Sequence, residues 1–164
     1  MDIGKFIDDY VKAKSQQVKD ALIKKHVVAT YIPYETKIAE AKNIIKNSCY
    51  KTINDKEYFY IDTPLRFVLL IKSVVTLYTD LEFDQTNVLV QFNLLEQYGI
   101  TEAIINAIGE DYDSFRTIVN MTLDDTMQNE RSLISYLENL GQSFNVAMDE
   151  FVKKLTEAAE KEME

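Results

Sequence analysis

The sequence has few of the residues from which catalytic and metal sites are usually built. Its 164 residues include one histidine, one cysteine, no tryptophan and four glycines. A second histidine, a thiol pair and a glycine-rich phosphate loop are all missing, which excludes most familiar catalytic and metal-binding arrangements. We therefore expect a non-enzymatic protein with no catalytic residues, no cofactor and no metal site, whose work is binding.

The chain also lacks features of secreted and membrane proteins. The single cysteine, Cys49, excludes an internal disulfide, and the chain does not open with a secretory signal pattern. These two features predict a reducing, intracellular origin. The longest apolar stretch, residues 67–77, is interrupted by Lys72 and Ser73 and is shorter than the ~20 residues that a membrane span needs. We expect no membrane contact.

What the sequence does contain is sufficient apolar material for a hydrophobic core. Hydrophobic residues make up 46% of the chain and aromatic residues 11%, despite a net charge of −9. A chain of this length can bury roughly 70% of its unfolded surface. The composition predicts one folded domain over residues 1–164, without disordered linkers.

Charge is distributed unevenly along the chain. Residues 1–56 carry a net charge of +4 and residues 57–164 a net charge of −13. The acidic part would repel nucleic acid, because duplex binding depends on cations that neutralise phosphates. Opposite charges on the two parts also favour head-to-tail contact between copies. We therefore expect no nucleic-acid partner and a homo-oligomer.

Apolar residues recur with helical spacing over most of the chain, which predicts a mainly α-helical bundle. The first ~28 residues form either one helix with a polar segment in its middle or two short helices. Pro33 and Pro64 mark helix starts, with Thr63 as a cap, and Gly99 and Gly109 mark helix ends. Further helices are expected over residues 33–47, 64–81, 84–99, 101–109 and 113–128, and a long C-terminal helix over 130–162.

Residues 48–61 differ from their surroundings. Aromatic and β-branched residues flank the polar Asn54-Asp55 pair, which predicts a β-hairpin. Tyr residues are common in the cores of protein interfaces, so the hairpin serves either as a contact surface or as local packing. The aromatic residues of this candidate interface are Tyr50, Tyr58, Phe59 and Tyr60.

The C-terminal helix carries an apolar stripe that resembles a coiled-coil seam. Its members recur at spacings of three and four residues: Leu133, Leu137, Leu140, Phe144, Ala147, Phe151 and Leu155. Such a stripe is expected to be buried, either against the same domain or against another chain, because both arrangements need the same pattern.

The few chemically distinctive residues have simple structural interpretations. His26 fits a cation near a helix C-terminus, and Cys49 fits a small, half-buried apolar residue. The carboxylates of residues 80–84 lack the glycine and glutamate positions of a calcium loop, so we interpret the segment as a corner between helices.

Lys5, Lys12, Lys19 and His26 recur every seven residues and so share one side of a helical segment. This basic face is either solvated or a contact surface for an acidic partner. We treat Lys5, Lys12 and Lys19 as candidate interface residues.

Several segments resemble small acidic proteins from the structural gene module of tailed phages that infect Gram-positive bacteria. They are residues 30–39, residues 90–95 with 104–108, and residues 129–134. The resemblance implies a virion protein near the head-to-tail junction, such as a connector or adaptor subunit in a ring. It would contact the portal, tail proteins or copies of itself, and lie in the host cytoplasm before assembly.

Two other functions compete with this one. The acidic surface between residues 80 and 150 could mimic nucleic acid and make the protein a regulator or inhibitor of a host enzyme. An enzyme would need a site built from carboxylates alone. Salt-sensitive competition with DNA would identify the mimic, and an activity screen with and without divalent metal would identify the enzyme.

Overall fold

The protein is mainly helical, with one small antiparallel hairpin, as the sequence predicts. The computed structural model describes the backbone of residues 1–162, and side chains for residues 1–138, 140–142, 144, 148–149 and 153. In this part of the chain the elements are α1 (Ile3–Lys12), α2 (Gln16–His26), α3 (Tyr34–Ser48), β1 (Tyr50–Ile53), β2 (Lys56–Phe59), α4 (Thr63–Tyr78), α5 (Val88–Gln97), α6 (Ile100–Ile108) and α7 (Glu110–Glu162).

The chain divides into two compact units, Met1–Leu123 and Asp124–Glu164. The first unit contains α1 to α6, the hairpin and the beginning of α7. Within it α4 is central, because it packs against α3, α5 and α6. Large side chains that are almost completely enclosed form its core: Ile3, Phe6, Ile44, Ile71, Val74, Val75, Tyr78, Leu95, Ile100, Ile104 and Phe115.

The N-terminal region forms two helices, which decides between the two arrangements that the sequence allows. The Asp2 carboxylate caps α1 by accepting a hydrogen bond from the Lys5 N–H. α1 ends at Lys12, and the Ser15 hydroxyl then accepts from the Val18 N–H to start α2. A serine whose side chain bonds the backbone in this way favours a helix start over a helix interior.

The two prolines lie at helix starts, as predicted, but the cap of α4 is one residue earlier than expected. Pro33 directly precedes α3, and Pro64 lies in the first turn of α4. The Asp62 carboxylate accepts from the Leu65 N–H at 2.9 Å, so Asp62 is the N-cap. Thr63 is already helical, so the prediction that Thr63 is the cap is wrong. The cap is Asp62 because it lies three positions before Leu65 and accepts a hydrogen bond from the Leu65 N–H.

The predicted hairpin is confirmed and has a two-residue turn. Residues Tyr50 to Ile53 pair antiparallel with Lys56 to Phe59. Asn54 and Asp55 have φ angles of 50° and 60°, the left-handed conformation that such turns require and that these residue types tolerate. The Tyr60 N–H donates to the Cys49 carbonyl, which joins the base of the hairpin to the end of α3.

α5 and α6 begin at different residues from those predicted. The residue type and position of Asp84 predict a cap for α5, but Asp84 instead organises the preceding turn. Its carboxylate accepts hydrogen bonds from the Thr86 N–H and from the Asn87 side chain. The Thr86 backbone bond, with these side-chain bonds, lowers the pKa of Asp84. Gly99, with a φ of 66°, precedes α6, and Thr101 is buried inside that helix.

The last two predicted helices are one continuous helix. α7 begins after Gly109 and contains both residues 113–128 and the predicted C-terminal helix, whose start near Glu130 is therefore wrong. Neither proline nor glycine occurs between Gly109 and Gly141, and Gln128-Asn129 can adopt helical geometry. Gln128, Asn129 and Glu130 are therefore accommodated within α7.

Candidate functional site

His26 and Cys49 occupy structural positions. His26 ends α2, and its Nδ1 atom lies 2.7 Å from an Asp80 carboxylate oxygen. Its ring packs edge-on against Phe6 at 5.2 Å between centroids. Cys49 is fully enclosed and is therefore more deeply buried than predicted. Neither side chain is presented to a substrate.

The acidic segment from Asp80 to Asp84 forms a corner between elements, as interpreted from the sequence. The Ile3 N–H donates to the Glu82 carbonyl, and the Glu82 N–H donates to the Met1 carbonyl. Leu81 and Phe83 point into the core. Among the described residues no group of three or more histidine, cysteine, aspartate or glutamate side chains is arranged to hold a metal ion.

The most buried charges of the first unit form a network around Asp111 that the sequence does not predict. Its carboxylate accepts hydrogen bonds from Lys37 Nζ at 2.5 Å, the Tyr78 hydroxyl at 2.8 Å and the Ile32 N–H at 3.0 Å. Lys37 also donates to the Ser114 hydroxyl. The network joins α3, α4 and the start of α7, so its role is to hold the helices together.

Burial alone would raise the pKa of the Asp111 carboxyl, but the hydrogen bonds from Lys37, Tyr78 and Ile32 outweigh burial and lower it. Burial, followed by the hydrogen bond to Asp111, raises the pKa of the Tyr78 hydroxyl. A signal for this network exists in the sequence. Lys37 falls on the apolar face of α3 that Ala41, Ile44, Ile45 and Ser48 define.

The three candidate lysines do not share one continuous helix. Lys5 and Lys12 are exposed on α1, whereas Lys19 lies on α2. The Lys19 ammonium is 4.9 Å from the centroid of the Tyr10 ring, a cation–π distance. Lys5 and Lys12 therefore form an exposed basic surface on α1. A role for Lys5, Lys12 and Lys19 in an interface stays a prediction.

The four aromatic residues of the hairpin divide between its two faces. Tyr50 and Phe59 are half-buried partners, with ring centroids 5.5 Å apart. Tyr58 and Tyr60 are 50% and 57% exposed, and the Lys51 ammonium lies over the Tyr60 ring. Tyr58 and Tyr60 are thus exposed, whereas Tyr50 and Phe59 pack against each other, and an interface role for the four residues stays a prediction.

The most extensive exposed apolar surface in the second unit lies on α7. We call it the α7 apolar face; its members are Leu133, Ile134, Tyr136, Leu137, Leu140, Phe144 and Met148. Each is between 45% and 66% exposed. Ala147, Phe151 and Leu155, the other members of the predicted stripe, lie outside the described side chains.

The α7 apolar face is separated cleanly from a polar face on the same helix. At 100° per residue its members span an arc of about 160°. The charged side chains Arg131, Glu138 and Asp149 all lie on the opposite side, together with Gln142. Scattered exposed apolar residues are normal, whereas a continuous face of this kind is a candidate interaction surface.

Comparison of the chain with protein-family models, with curated proteins and with solved structures finds no match. No helix within the described residues is both long enough and apolar enough to span a bilayer. The fold and the α7 apolar face together define a mainly helical protein whose last helix is amphipathic and exposes its apolar side.

Proposed function

We propose that this protein is a non-enzymatic subunit of a protein assembly, and that copies associate through the α7 apolar face. The observation that carries the proposal is the exposure of seven large apolar side chains along one side of α7. Exposed apolar surface of this extent is unfavourable in water, and burial against a partner removes it.

The area of the face supports a stable contact. A stable protein–protein interface buries about 800 Å² on each partner. Seven large side chains that are about half exposed supply an area of that order. The pattern of three- and four-residue spacings is the one with which helices pack against each other.

A second copy of this chain is the partner that we assign to the face. Over residues 133–148 the rims of the face, Ile134 and Tyr136, are uncharged, so two copies can approach along this stretch without placing like charges across the seam. Gly141 also lies on this side of α7, and no described atom lies within 4 Å of the position that a Cβ would take there. Glycine weakens a helix, but it permits a neighbouring helix to approach closely.

The assembly that we propose is the head-to-tail junction of a tailed phage, where the protein would act as a connector or adaptor subunit in a ring. This assignment depends on the resemblance of residues 30–39, 90–95, 104–108 and 129–134 to small acidic phage structural proteins. Its partners would be portal or tail proteins and neighbouring copies of the chain.

The test of self-association is a matched pair of charge insertions on α7. Leu140→Glu places a carboxylate in the apolar face, and Gln142→Glu places the same group on the polar face of the same turn. We expect Leu140→Glu to weaken self-association at least about tenfold, which corresponds to about 1.4 kcal/mol. Gln142→Glu should leave it unchanged. Analytical ultracentrifugation over a range of concentrations measures both.

A wild-type chain that stays monomeric at all concentrations, or a loss of association that is equal in both variants, would overturn self-association through this face. The phage assignment has a separate test. Mass spectrometry of purified virions should detect the protein at a fixed ratio to the portal protein, and its absence from virions would refute the connector role.

A further inference from the structure

Two of the three arginines in this chain line one small cleft of the first unit. Arg66 lies in the first turns of α4, and Arg116 lies near the start of α7. The cleft has a volume of about 180 Å³. Thr63, Asn120 and the apolar side chains Phe67, Leu70 and Val119 complete its lining.

Neither arginine has an acidic partner within the part of the chain that the structure describes. The Nη1 atom of Arg66 is shielded from solvent and donates no hydrogen bond to a described residue. A shielded guanidinium N–H without an acceptor is unfavourable, and native proteins rarely leave one in this state. Within the described part of the chain, this donor therefore lacks an acceptor.

The surroundings of the cleft favour an anion. Thr63 and Arg66 belong to the first turn of α4, whose N-terminal end is already capped by the Asp62 carboxylate. Arg116 is the only basic side chain between residues 73 and 130, a stretch that is otherwise acidic or neutral. Two guanidinium groups that line one cleft form a site for an oxyanion.

The shape and charge of the region select the kind of oxyanion. A volume of about 180 Å³ accommodates one side chain, and the walls formed by Phe67, Leu70 and Val119 suit the methylene groups of a glutamate. The net charge of −13 over residues 57–164 opposes the approach of a polyphosphate chain. A single carboxylate on a protein segment meets less repulsion.

We propose that the Arg66–Arg116 cleft binds the carboxylate of a single glutamate on a protein segment. The site is distinct from the α7 apolar face and does not depend on the proposed self-association. It gives the protein a second contact, through which a glutamate-bearing segment of a partner chain docks on the first unit.

The test uses the arginine side chains as reporters. The Nε–H signals of the three arginines are followed by nitrogen-15 NMR while acetyl-Ala-Ala-Glu-Ala-Ala amide, a peptide with one carboxylate, is added to the full chain. We expect saturable shifts of the Arg66 and Arg116 signals and no shift of Arg131, which lies outside the cleft. The glutamine counterpart of the peptide should shift none of them, because a neutral amide cannot form the charge-assisted pair.

Substitutions supply the matched controls. Arg116→Gln should weaken peptide binding at least about tenfold, and this exposed position leaves the fold intact. Arg66→Gln should have the same effect, and Arg131→Gln should change the dissociation constant by less than about twofold. Circular dichroism of each variant checks folding.

Three results would overturn the proposal. They are equal shifts of all three arginine signals, a response to inorganic phosphate but not to the glutamate peptide, and unchanged peptide binding by Arg116→Gln. The first would mean non-specific attraction, the second a phosphate site, and the third a cleft without a binding role.

Discussion

The ammonium group of Lys37 lies 2.5 Å from a carboxylate oxygen of Asp111, although 74 positions separate the two residues in the chain. Lys37 is only 2% exposed, and Tyr78 and the Ile32 N–H share the same carboxylate. A buried ion pair of this kind persists where additional hydrogen bonds compensate for the loss of water. The pair therefore ties α3 to the start of α7 at a defined register.

Replacement of Asp111 by asparagine should destabilise the protein by about 3–5 kcal/mol at neutral pH, because the charge of Lys37 is left buried without its partner. Urea unfolding followed by circular dichroism measures the loss. Asp113→Asn, an exposed position on the same helix, is the control and should change stability by less than about 0.5 kcal/mol. A loss below about 1 kcal/mol in Asp111→Asn would show that the pair does not stabilise the fold.

The effect of Asp111 should also depend on pH. The folded-state pKa of this carboxyl is lowered, so its contribution is present above the unfolded value of about 3.9 and is lost as the pH falls through the folded value. The stability difference between the wild type and Asp111→Asn should therefore narrow below about pH 4. A difference that stays constant from neutral to acidic pH would contradict this assignment.

Leu140→Ala should separate folding from association. A leucine in a packed core loses about 2–5 kcal/mol on truncation to alanine. Leu140 is 48% exposed in the single chain, so we expect a loss of less than about 1 kcal/mol in the unfolding of the monomer, together with weaker self-association. Unfolding at low protein concentration and ultracentrifugation measure the two effects. A core-sized loss in the monomer would mean that Leu140 is packed within its own chain.

Replacement of Tyr58 and Tyr60 by serine should weaken assembly more than it weakens folding, because both side chains are exposed on the hairpin. The control is the pair Tyr34→Ser and Tyr98→Ser, exposed tyrosines on other elements. Thermal unfolding and the measured size of the assembly report the two effects separately. A collapse of the melting temperature with normal assembly of the folded fraction would place Tyr58 and Tyr60 in the core.

Changing Lys5, Lys12 and Lys19 together to glutamate should weaken association while leaving a folded monomer, if the basic first helix contacts the acidic region of a neighbouring chain. Each exposed ion pair contributes only about 0–1 kcal/mol, but several pairs orient the partners. Association of the wild type should then weaken as the salt concentration rises.

The control for this charge reversal is the triple change of Lys25, Lys42 and Lys46 to glutamate, which alters the net charge by the same amount at other exposed positions. Equal effects of the two triple variants would show that net charge alone matters. An assembly that is insensitive to both the substitutions and salt would leave the apolar contacts as its basis.

Local sequence patterns determined much of the secondary structure. Helical spacing of apolar residues predicts the mainly helical class, and Asn54-Asp55 between aromatic segments predicts the hairpin and its turn. Pro33, Pro64 and Gly109 mark helix boundaries within a residue or two. These features follow from backbone geometry and from hydrogen bonds between residues that lie only a few positions apart in the chain.

The tertiary structure alone decided which residues meet. Periodicity places Lys37 on the apolar face of α3, but only the packing of α3 against α4 and the start of α7 brings Asp111 and Tyr78 to it. Likewise, a stripe of leucines is compatible with a core or an interface, and only the structure shows that Leu133 and Leu137 are exposed in the single chain. The gathering of Arg66 and Arg116 at one cleft is of the same kind, because contacts across 50 residues depend on the path of the whole chain and leave no local pattern.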